Sequence, residues 1–378
     1  MCYSSAKIRS ILILATANYL VPRLQLEKKA LEEVGYRIDV LNIDDISFNP
    51  RFFKRLAGYY AQVLKKTIKS KYYAVHMTHI VQLPLALVFK IFRKKVVYDA
   101  YERYSTDISE KYVNSKHKNL IRELIELFEN LIIWVSVDAI LVVSTVNEYL
   151  KKRYARFCSK VECLYNVPPR NLLYSSNLED KFNNGTLVIA YVGAIIIDKG
   201  LDNFIPLLLR LKQSQLRYKI HFIGSFMDNN VRSEFIAEVN KSGLSENVMV
   251  HGQMDYQTMH KTLNQCQIGL TLYSKSPRLS AVGKGSSRKN FTYMCSGMAI
   301  ITTGVGELSR VIEEEQCGIV IDDPHDLDRI CKIIRMLDRD RSSALEYARN
   351  GLRAIQKKYN WDLEKQKLLG LYEMISRN

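Results

Sequence analysis

The chain has 378 residues, 47% hydrophobic and 25% charged; these proportions exclude a mainly disordered chain, and the length suits two domains of about 150–200 residues rather than one. Seven cysteines, odd in number and without a Cys-x-x-Cys pair, argue against a disulfide framework or a zinc site and read as small buried apolar residues in a reducing cytosol. The net charge of +16 calls for an anionic partner, phosphate in nucleic acid or in a lipid leaflet.

Lys7 and Arg9 accompany a short apolar run, Ile8–Leu14, which reads as a buried parallel strand and not as a signal peptide. Leu24–Val34 has helical spacing and stops at Gly35, and Arg37–Ile43 is the next strand. Strand, helix, strand opens a doubly wound sheet. Arg51–Tyr73 carries seven Lys and Arg and no Asp or Glu. On a helical wheel Phe52, Leu56, Tyr60, Val63 and Leu64 share one arc, with Arg51, Lys54, Lys65, Lys66 and Lys69 opposite. That pattern fits either a basic helix lying on an anionic membrane or the solvated face of a helix packed on its own domain. Phe89–Lys95 adds a second small basic cluster. The apolar stretches around His79–Phe89 and Leu131–Ser144 are too short to cross a bilayer, so the protein is expected to be soluble or peripheral.

Val96–Asp99 and Ala139–Ser144 continue the first sheet, each after a helical stretch. Val167–Gly185, with two prolines and little periodicity, reads as a linker. The boundaries expected are a first domain over 1–170, a linker over 171–185, a second domain over 186–358 and a closing helix over 359–378. Counted by halves, residues 1–182 hold 29 Lys and Arg against 18 Asp and Glu, and the rest 26 against 21, so the basic excess belongs to the first domain. In the second, strands at Thr186–Val192, Lys219–Ile223, Val248–His251, Ile268–Tyr273, Ala299–Thr303 and Gly318–Ile321 alternate with helices at Leu201–Leu211, Val231–Lys241 and Met259–Gln265. Trp361–Ile375 is a helix beyond the second core. Continuous apolar strands mean that both sheet faces are covered. The fold class is α/β, two Rossmann-like domains with parallel sheets.

The residues that carry chemistry follow the first strand of the second domain. The strand ends at Gly193-Ala194, and Lys199-Gly200 stands before a helix. Glycine lets a backbone approach a diphosphate, a helix N-terminus offers N–H groups to it, and Lys199 adds positive charge where a leaving diphosphate gains negative charge. Taken alone, the segment is equally a plain strand–loop–helix connection with a surface lysine. Gly224-Ser225 follows the next strand, Gly252 with Met254 the one after, and Lys289-Asn290 opens a polar, cationic helix start. These loops leave the carboxyl ends of strands, where open α/β sheets bind ligands.

In that order the segments resemble glycosyltransferase family four, the retaining GT-B enzymes that use nucleotide sugars. Tyr191-Val-Gly193, Lys199-Gly200, Ile223-Gly-Ser225, His251-Gly-Gln-Met254 and Lys289-Asn-Phe-Thr-Tyr-Met294 with Ser296-Gly297 match the second-domain pattern. Pro22-Arg23, Val97-Tyr-Asp-Ala-Tyr-Glu102, Asp138 with Ser144, Val161–Asn166 and Tyr359-Asn-Trp361 match elsewhere, so the resemblance spans nearly the whole chain. It implies two facing domains with the last helix returning to the first, and a donor site of Gly193, Ala194, Gly200, Gly224, Ser225, Gly252, Met254, Lys284, Lys289, Asn290 and Thr292. Catalytic roles fall to Lys199, Tyr101 and Glu102. Tyr101 and Glu102 read equally as strand-end residues held structurally.

The departures are informative. The family's glutamate pair, eight residues apart, is replaced by Lys284 and Thr292, its first-domain His by Tyr101, and the Arg after the Tyr-x-Gly glycine by Ala194. Two readings follow, a divergent enzyme with an unusual donor or a GT-B protein that has lost catalysis and serves as a binding or regulatory partner. For the enzyme the resemblance implies a metal-independent reaction without a cofactor, a nucleotide-sugar donor, and a saccharide or lipid-linked acceptor in cell-surface polysaccharide or lipopolysaccharide assembly. It would work in the cytoplasm, peripherally on the inner face of the membrane. Nucleic acid is not an expected partner, because no helix-turn-helix, zinc-finger or RNP-like pattern accompanies the charge. The lack of Gly-x-Gly-x-x-Gly after the first strand argues against a dinucleotide enzyme.

Overall fold

The computed structural model describes residues 9–16, 22–43, 50–113, 115–143, 146–183, 185–274, 288–305 and 309–377. Its contacts divide the chain into two units, Met1–Tyr165 with Leu363–Asn378, and Asn166–Asp362.

Unit 1 is a six-stranded parallel sheet in the order β2-β1-β3-β4-β5-β6, formed by β1 (Ser10–Thr16), β2 (Arg37–Ile43), β3 (Tyr72–Met77), β4 (Lys95–Ala100), β5 (Ala139–Val143) and β6 (Val161–Leu164). The connecting helices are α1 (Pro22–Glu33), α2 (Phe52–Lys69), α3 (Pro84–Ile91), α4 (Tyr104–Tyr112), α5 (Lys118–Ser136) and α6 (Val146–Tyr154). The step from β1 to β2 runs one way across the sheet and every later step the other way. With right-handed crossovers, α1 covers one face, and α2, α3, α5 and α6 the other. The packing agrees. Tyr59 and Val63 of α2, Phe89 of α3, Ile132 and Ile133 of α5 and Tyr154 of α6 share one core with Val96 and Tyr98 of β4.

The basic run of the sequence hides β3, which starts three residues after α2 ends. The wheel places α2 in part. Phe52 and Val63 of its apolar arc are buried, and Leu56, Tyr60 and Leu64 pack half-buried against the core. Tyr59 and Thr67, which lay outside that arc, are buried too, and Lys66 and Lys69 in the last turn complement the dipole.

Unit 2 has the order β12-β11-β10-β7-β8-β9, from β7 (Leu187–Val192), β8 (Tyr218–Ile223), β9 (Val248–Gly252), β10 (Ile268–Thr271), β11 (Ala299–Thr303) and β12 (Gly318–Ile321). Its helices are α7 (Leu178–Phe182), α8 (Phe204–Gln213), α9 (Asn229–Lys241), α10 (Tyr256–Leu263), α11 (Arg288–Cys295), α12 (Arg310–Glu314), α13 (Leu327–Arg339) and α14 (Arg341–Lys357). Strand order reverses between β7 and β10. All register pairs in both sheets are parallel, for example Leu187 against Tyr218 and Ile268 against Ile189.

The stretch expected as linker, 171–185, is tied into unit 2. Leu178 and Phe182 of α7 lie in its core, and the Tyr174 amide donates to the Cys295 carbonyl at 2.8 Å. The last helix, α15 (Trp361–Ser376), passes from the end of unit 2 into unit 1. There His76 Nδ1 and the Tyr372 hydroxyl share a 2.8 Å hydrogen bond.

Candidate functional site

The reversal between β7 and β10 is where an open α/β sheet leaves a crevice at its strand ends. Gly193 closes β7 at φ +108, and a Cβ on Gly224 would stand 2.1 Å from the Gly193 carbonyl oxygen. Only glycine permits that approach, and it lets the loops stitch together. The Gly193 amide donates to Ile223 O at 2.8 Å, Ile195 to Ser225 O at 2.9 Å, and Gly224 to Gly252 O at 2.7 Å. Ser225 Oγ donates to Gln253 Oε1 at 3.1 Å. Gly193, Ala194, Gly224, Ser225 and Gly252 thus form one continuous rim of backbone, with the half-buried Met254 two residues beyond Gly252.

Lys199 ends a 3-10 turn, Ile197–Lys199, and Gly200 at φ +83 links it to a second, Leu201–Asn203, before α8 begins at Phe204. The expected direct entry from Lys199-Gly200 into an α-helix is therefore replaced by two tight turns. The reason is steric. A Cβ at Gly200 would lie 1.9 Å from Leu272 O, so the chain is pinned against the end of β10 and must turn before it can coil.

Lys289 completes this corner from α11. It is buried, and its ammonium lies 3.7 Å from the Tyr191 ring centre and 4.9 Å from that of Tyr273. A Cβ on Gly193 would come 2.8 Å from Lys289 Cε, so the aliphatic stem lies directly on the glycine. Nζ is shielded and has no hydrogen-bond partner among the described residues. Burial, with the charge of Lys199 second, pushes its pKa well below the ordinary lysine value. A buried lysine nitrogen set only against aromatic faces thus stands beside Gly193, with the charge of Lys199 near enough to bear on it, and an anion entering there would supply the missing partner. The tyrosine slot was not singled out in the sequence. Tyr191 stood in view as part of Tyr-Val-Gly, but Tyr273 reaches it only through the β7–β10 pairing.

Asn290 is buried and accepts from Thr271 Oγ1 at 3.1 Å. Thr292 is also buried. Lys284 lies outside the described residues.

In unit 1, Tyr101 follows β4, its amide bonded to Asp99 O at 3.1 Å. The Arg23 guanidinium sits 5.0 Å from its ring centre. Its shielded hydroxyl has no hydrogen-bond partner among the described residues, and burial, then the Glu27 and Asp99 charges, raise its pKa. Glu102 is exposed. Behind them lies a buried network that pattern reading missed. Arg23 Nε donates to Glu27 Oε1 at 2.6 Å and Nη2 to Asp99 Oδ1 at 3.0 Å, with His76 Nε2 3.6 Å from Asp99 Oδ2. Glu27, His76 and Asp99 are close enough together to hold a metal ion. Arg23 already supplies the positive charge, so the cluster is an ion-pair network. The Arg23–Glu27 spacing of four on a helix was the available signal.

Of the basic residues expected at the membrane, Arg51 just before α2 and Lys54, Lys65 and Lys69 on it are exposed. Lys66 is half-buried and pairs with Asp39 at 3.8 Å. Phe53 and Ile68 are exposed among them. No helix among the described residues is long and apolar enough to cross a membrane.

Residues 178–353 match the family model for glycosyl transferases group 1. No curated protein sequence matches the chain. Among solved structures, sucrose-phosphate synthase from Thermosynechococcus elongatus aligns with a TM-score of 0.73 over 98% of this chain and 99% of its own, at 15% identity. Anabaena Alr3699/HepE, solved with UDP and glucose, gives 0.69 over 98% and 100% at 13% identity. WaaG, a glycosyltransferase involved in lipopolysaccharide biosynthesis, gives 0.68 over 95% and 98% at 14% identity. At these identities the likeness is one of fold, and it agrees with two parallel six-stranded sheets and a last helix grouped with the first. Residues 178–353, most of unit 2, thus match the model of glycosyl transferases group 1, and the chain has the GT-B fold.

Proposed function

We propose that this protein transfers a sugar from a nucleotide-sugar donor to a saccharide acceptor with retention of configuration, using neither a metal ion nor another cofactor. The observation that carries the reading is the unpartnered Nζ of Lys289, set beside Gly193 at the strand-order reversal of unit 2 and within the field of Lys199. A diphosphate there gains charge as it leaves, and fixed cations in a water-poor corner stabilise that charge more than the ground state. The acceptor oxygen bonds to the anomeric carbon as the bond from that carbon to the phosphate oxygen breaks, on the same face of the sugar. The hydroxyl proton passes to the departing phosphate oxygen, so no side-chain nucleophile is required. The rim from Gly193 to Gly252 is assigned to the nucleotide, and Tyr101 and Glu102 to the sugar or its acceptor.

The acceptor we propose is lipid-linked, met at the anionic inner face of the cell membrane during cell-surface polysaccharide assembly. The +16 charge and the exposed cations of α2 support this. One observation favours a second reading, a non-catalytic binding partner. The position of the family's second glutamate holds the buried hydroxyl of Thr292 in place of a carboxylate.

Thermal stabilisation by UDP-, GDP-, CMP- and dTDP-sugars tests the donor, a ligand at 100 times its Kd adding about 2.7 kcal/mol. UDP-glucose comes first, because HepE has been solved with it. Transfer in EDTA with an unchanged anomeric configuration by NMR supports the enzyme. Binding without turnover on any acceptor supports the second reading, and no stabilisation by any donor refutes both.

A further inference from the structure

The sequence pointed to α2 as the membrane element, but the larger apolar surface of unit 1 is elsewhere. On α5, Leu120, Leu124, Leu127, Leu131 and Trp134 are all exposed, Leu127 at 65% and Trp134 at 68%. Their spacing follows one face of a helix, and Phe128 and Val135 widen the stripe. The buried side is complete without them, since Glu129, Ile132, Ile133 and Ser136 face the core. From Leu124 to Val135 the exposed face carries no charge; Glu123 stands at its N-terminal margin. Soluble proteins rarely leave such an unbroken apolar stripe to water.

The stripe does not end at α5. Each of α2, α3 and α5 returns from the carboxyl end of one strand to the amino end of the next parallel strand, so the three run the same way on one sheet face. Lys90 Nζ lies 3.1 Å from Asp138 Oδ1, which brings the end of α3 beside the end of α5. There Ile91 is 78% exposed and Phe92 half exposed, followed at once by the basic Arg93 and Lys94. Farther across the same layer α2 presents Lys54, Lys65 and Lys69, with Phe53 and Ile68 between them. An apolar band bordered by cations and bearing a tryptophan fits the boundary between lipid headgroups and acyl chains. A second copy of this chain would bring the same +16 charge, whereas an anionic leaflet brings the opposite sign.

We propose that the outer face of α5, with the Ile91–Phe92 end of α3, is the apolar anchor by which unit 1 inserts into the interface of an anionic membrane, the cations of α2 and Arg93–Lys94 steering it there. The inference deepens the membrane reading above and does not depend on the donor or the chemistry.

The chain has two tryptophans, Trp361 buried and Trp134 exposed, so Trp361→Phe leaves Trp134 as the reporter. Vesicles of phosphatidylglycerol and phosphatidylcholine should shift its emission to the blue and shield it from acrylamide, while phosphatidylcholine alone should do so weakly. Leu124→Gln/Leu127→Gln/Leu131→Gln should lower vesicle partitioning by more than about tenfold, as expected when most of the buried apolar area is lost. Its circular dichroism should match the parent's. Lys54→Glu/Lys65→Glu/Lys69→Glu should weaken binding in a way that added salt mimics in the parent. Vesicle binding with Trp134 unshifted and the triple Gln variant unimpaired would overturn the anchor while leaving the membrane reading intact. No vesicle binding by the parent would overturn both. A blue shift that grows with protein concentration in the absence of lipid, together with dimers by light scattering, would overturn the anchor in favour of a contact between copies.

Discussion

Replacing Lys289 with methionine separates what the buried cation does for the ligand from what it does for the fold. The methionine keeps the length of the stem against Gly193 and an apolar body between Tyr191 and Tyr273, and removes only the charge. A hydrogen bond to a charged partner is worth about 1.5–3 kcal/mol. At tenfold per 1.4 kcal/mol, donor binding should weaken by roughly 10- to 150-fold. Stability should move the other way, because Nζ is shielded and unpartnered in the free protein and an uncompensated buried charge destabilises.

The pH dependence follows from the same site. Lys289 titrates near 10.5 when unfolded and well below that when folded. Between the two values the unfolded chain holds the extra proton, so the stability of the free protein rises with pH across that window, and Lys289→Met should remove this part of the slope. Donor affinity should fall over the same window as the ammonium loses its proton. Calorimetric titration with the donor and urea unfolding at several pH values measure both. A variant that binds donor like the parent, or that is less stable than the parent, would refute the anion-receiving role of Lys289.

Gly200→Ala should destabilise more than Gly252→Ala. Both glycines are left-handed, which costs a side chain about 1–2 kcal/mol, but only at Gly200 does the new Cβ strike a carbonyl, Leu272 O. Equal losses in urea unfolding would show that the β10 end moves aside. Arg23→Met should cost about 3–5 kcal/mol, since it leaves the buried Glu27 and Asp99 carboxylates uncompensated; unfolding at the parent's midpoint would contradict this. Lys181 donates to Ser296 O at 2.6 Å, and burial lowers its pKa to about 7. The unfolded chain therefore holds more protons between about pH 7 and the ordinary value of 10.5, and stability should rise over that interval. Lys181→Met should be less stable and lack this contribution; an unchanged pH profile would assign the slope to other groups.

Periodicity placed ten of the twelve strands among the described residues, because most of them are short apolar runs between turn residues, as expected of a parallel sheet covered on both faces. The two it did not name are β3, joined to a basic helix by two residues, and β6, four residues long with only Leu164 fully buried. The loops after β7, β8 and β9 were legible because their glycines are required wherever backbones touch.

Strand order was decided only by the tertiary structure. No local pattern states that β10 pairs with β7, yet that pairing brings Tyr273 and Leu272 to Gly193 and Gly200 and turns a lysine on α11 into a buried cation between two rings. The wheel for α2 marked Phe52 and Val63 as inner but left out Tyr59 and Thr67, which the packing buries. The apolar outer stripe of α5 could not be told from a core-facing one in the sequence, because apolar residues on both sides of a helix look alike until packing shows which side the core uses. Residue type and spacing are properties of the chain, whereas burial and the meeting of distant side chains depend on which strands become neighbours.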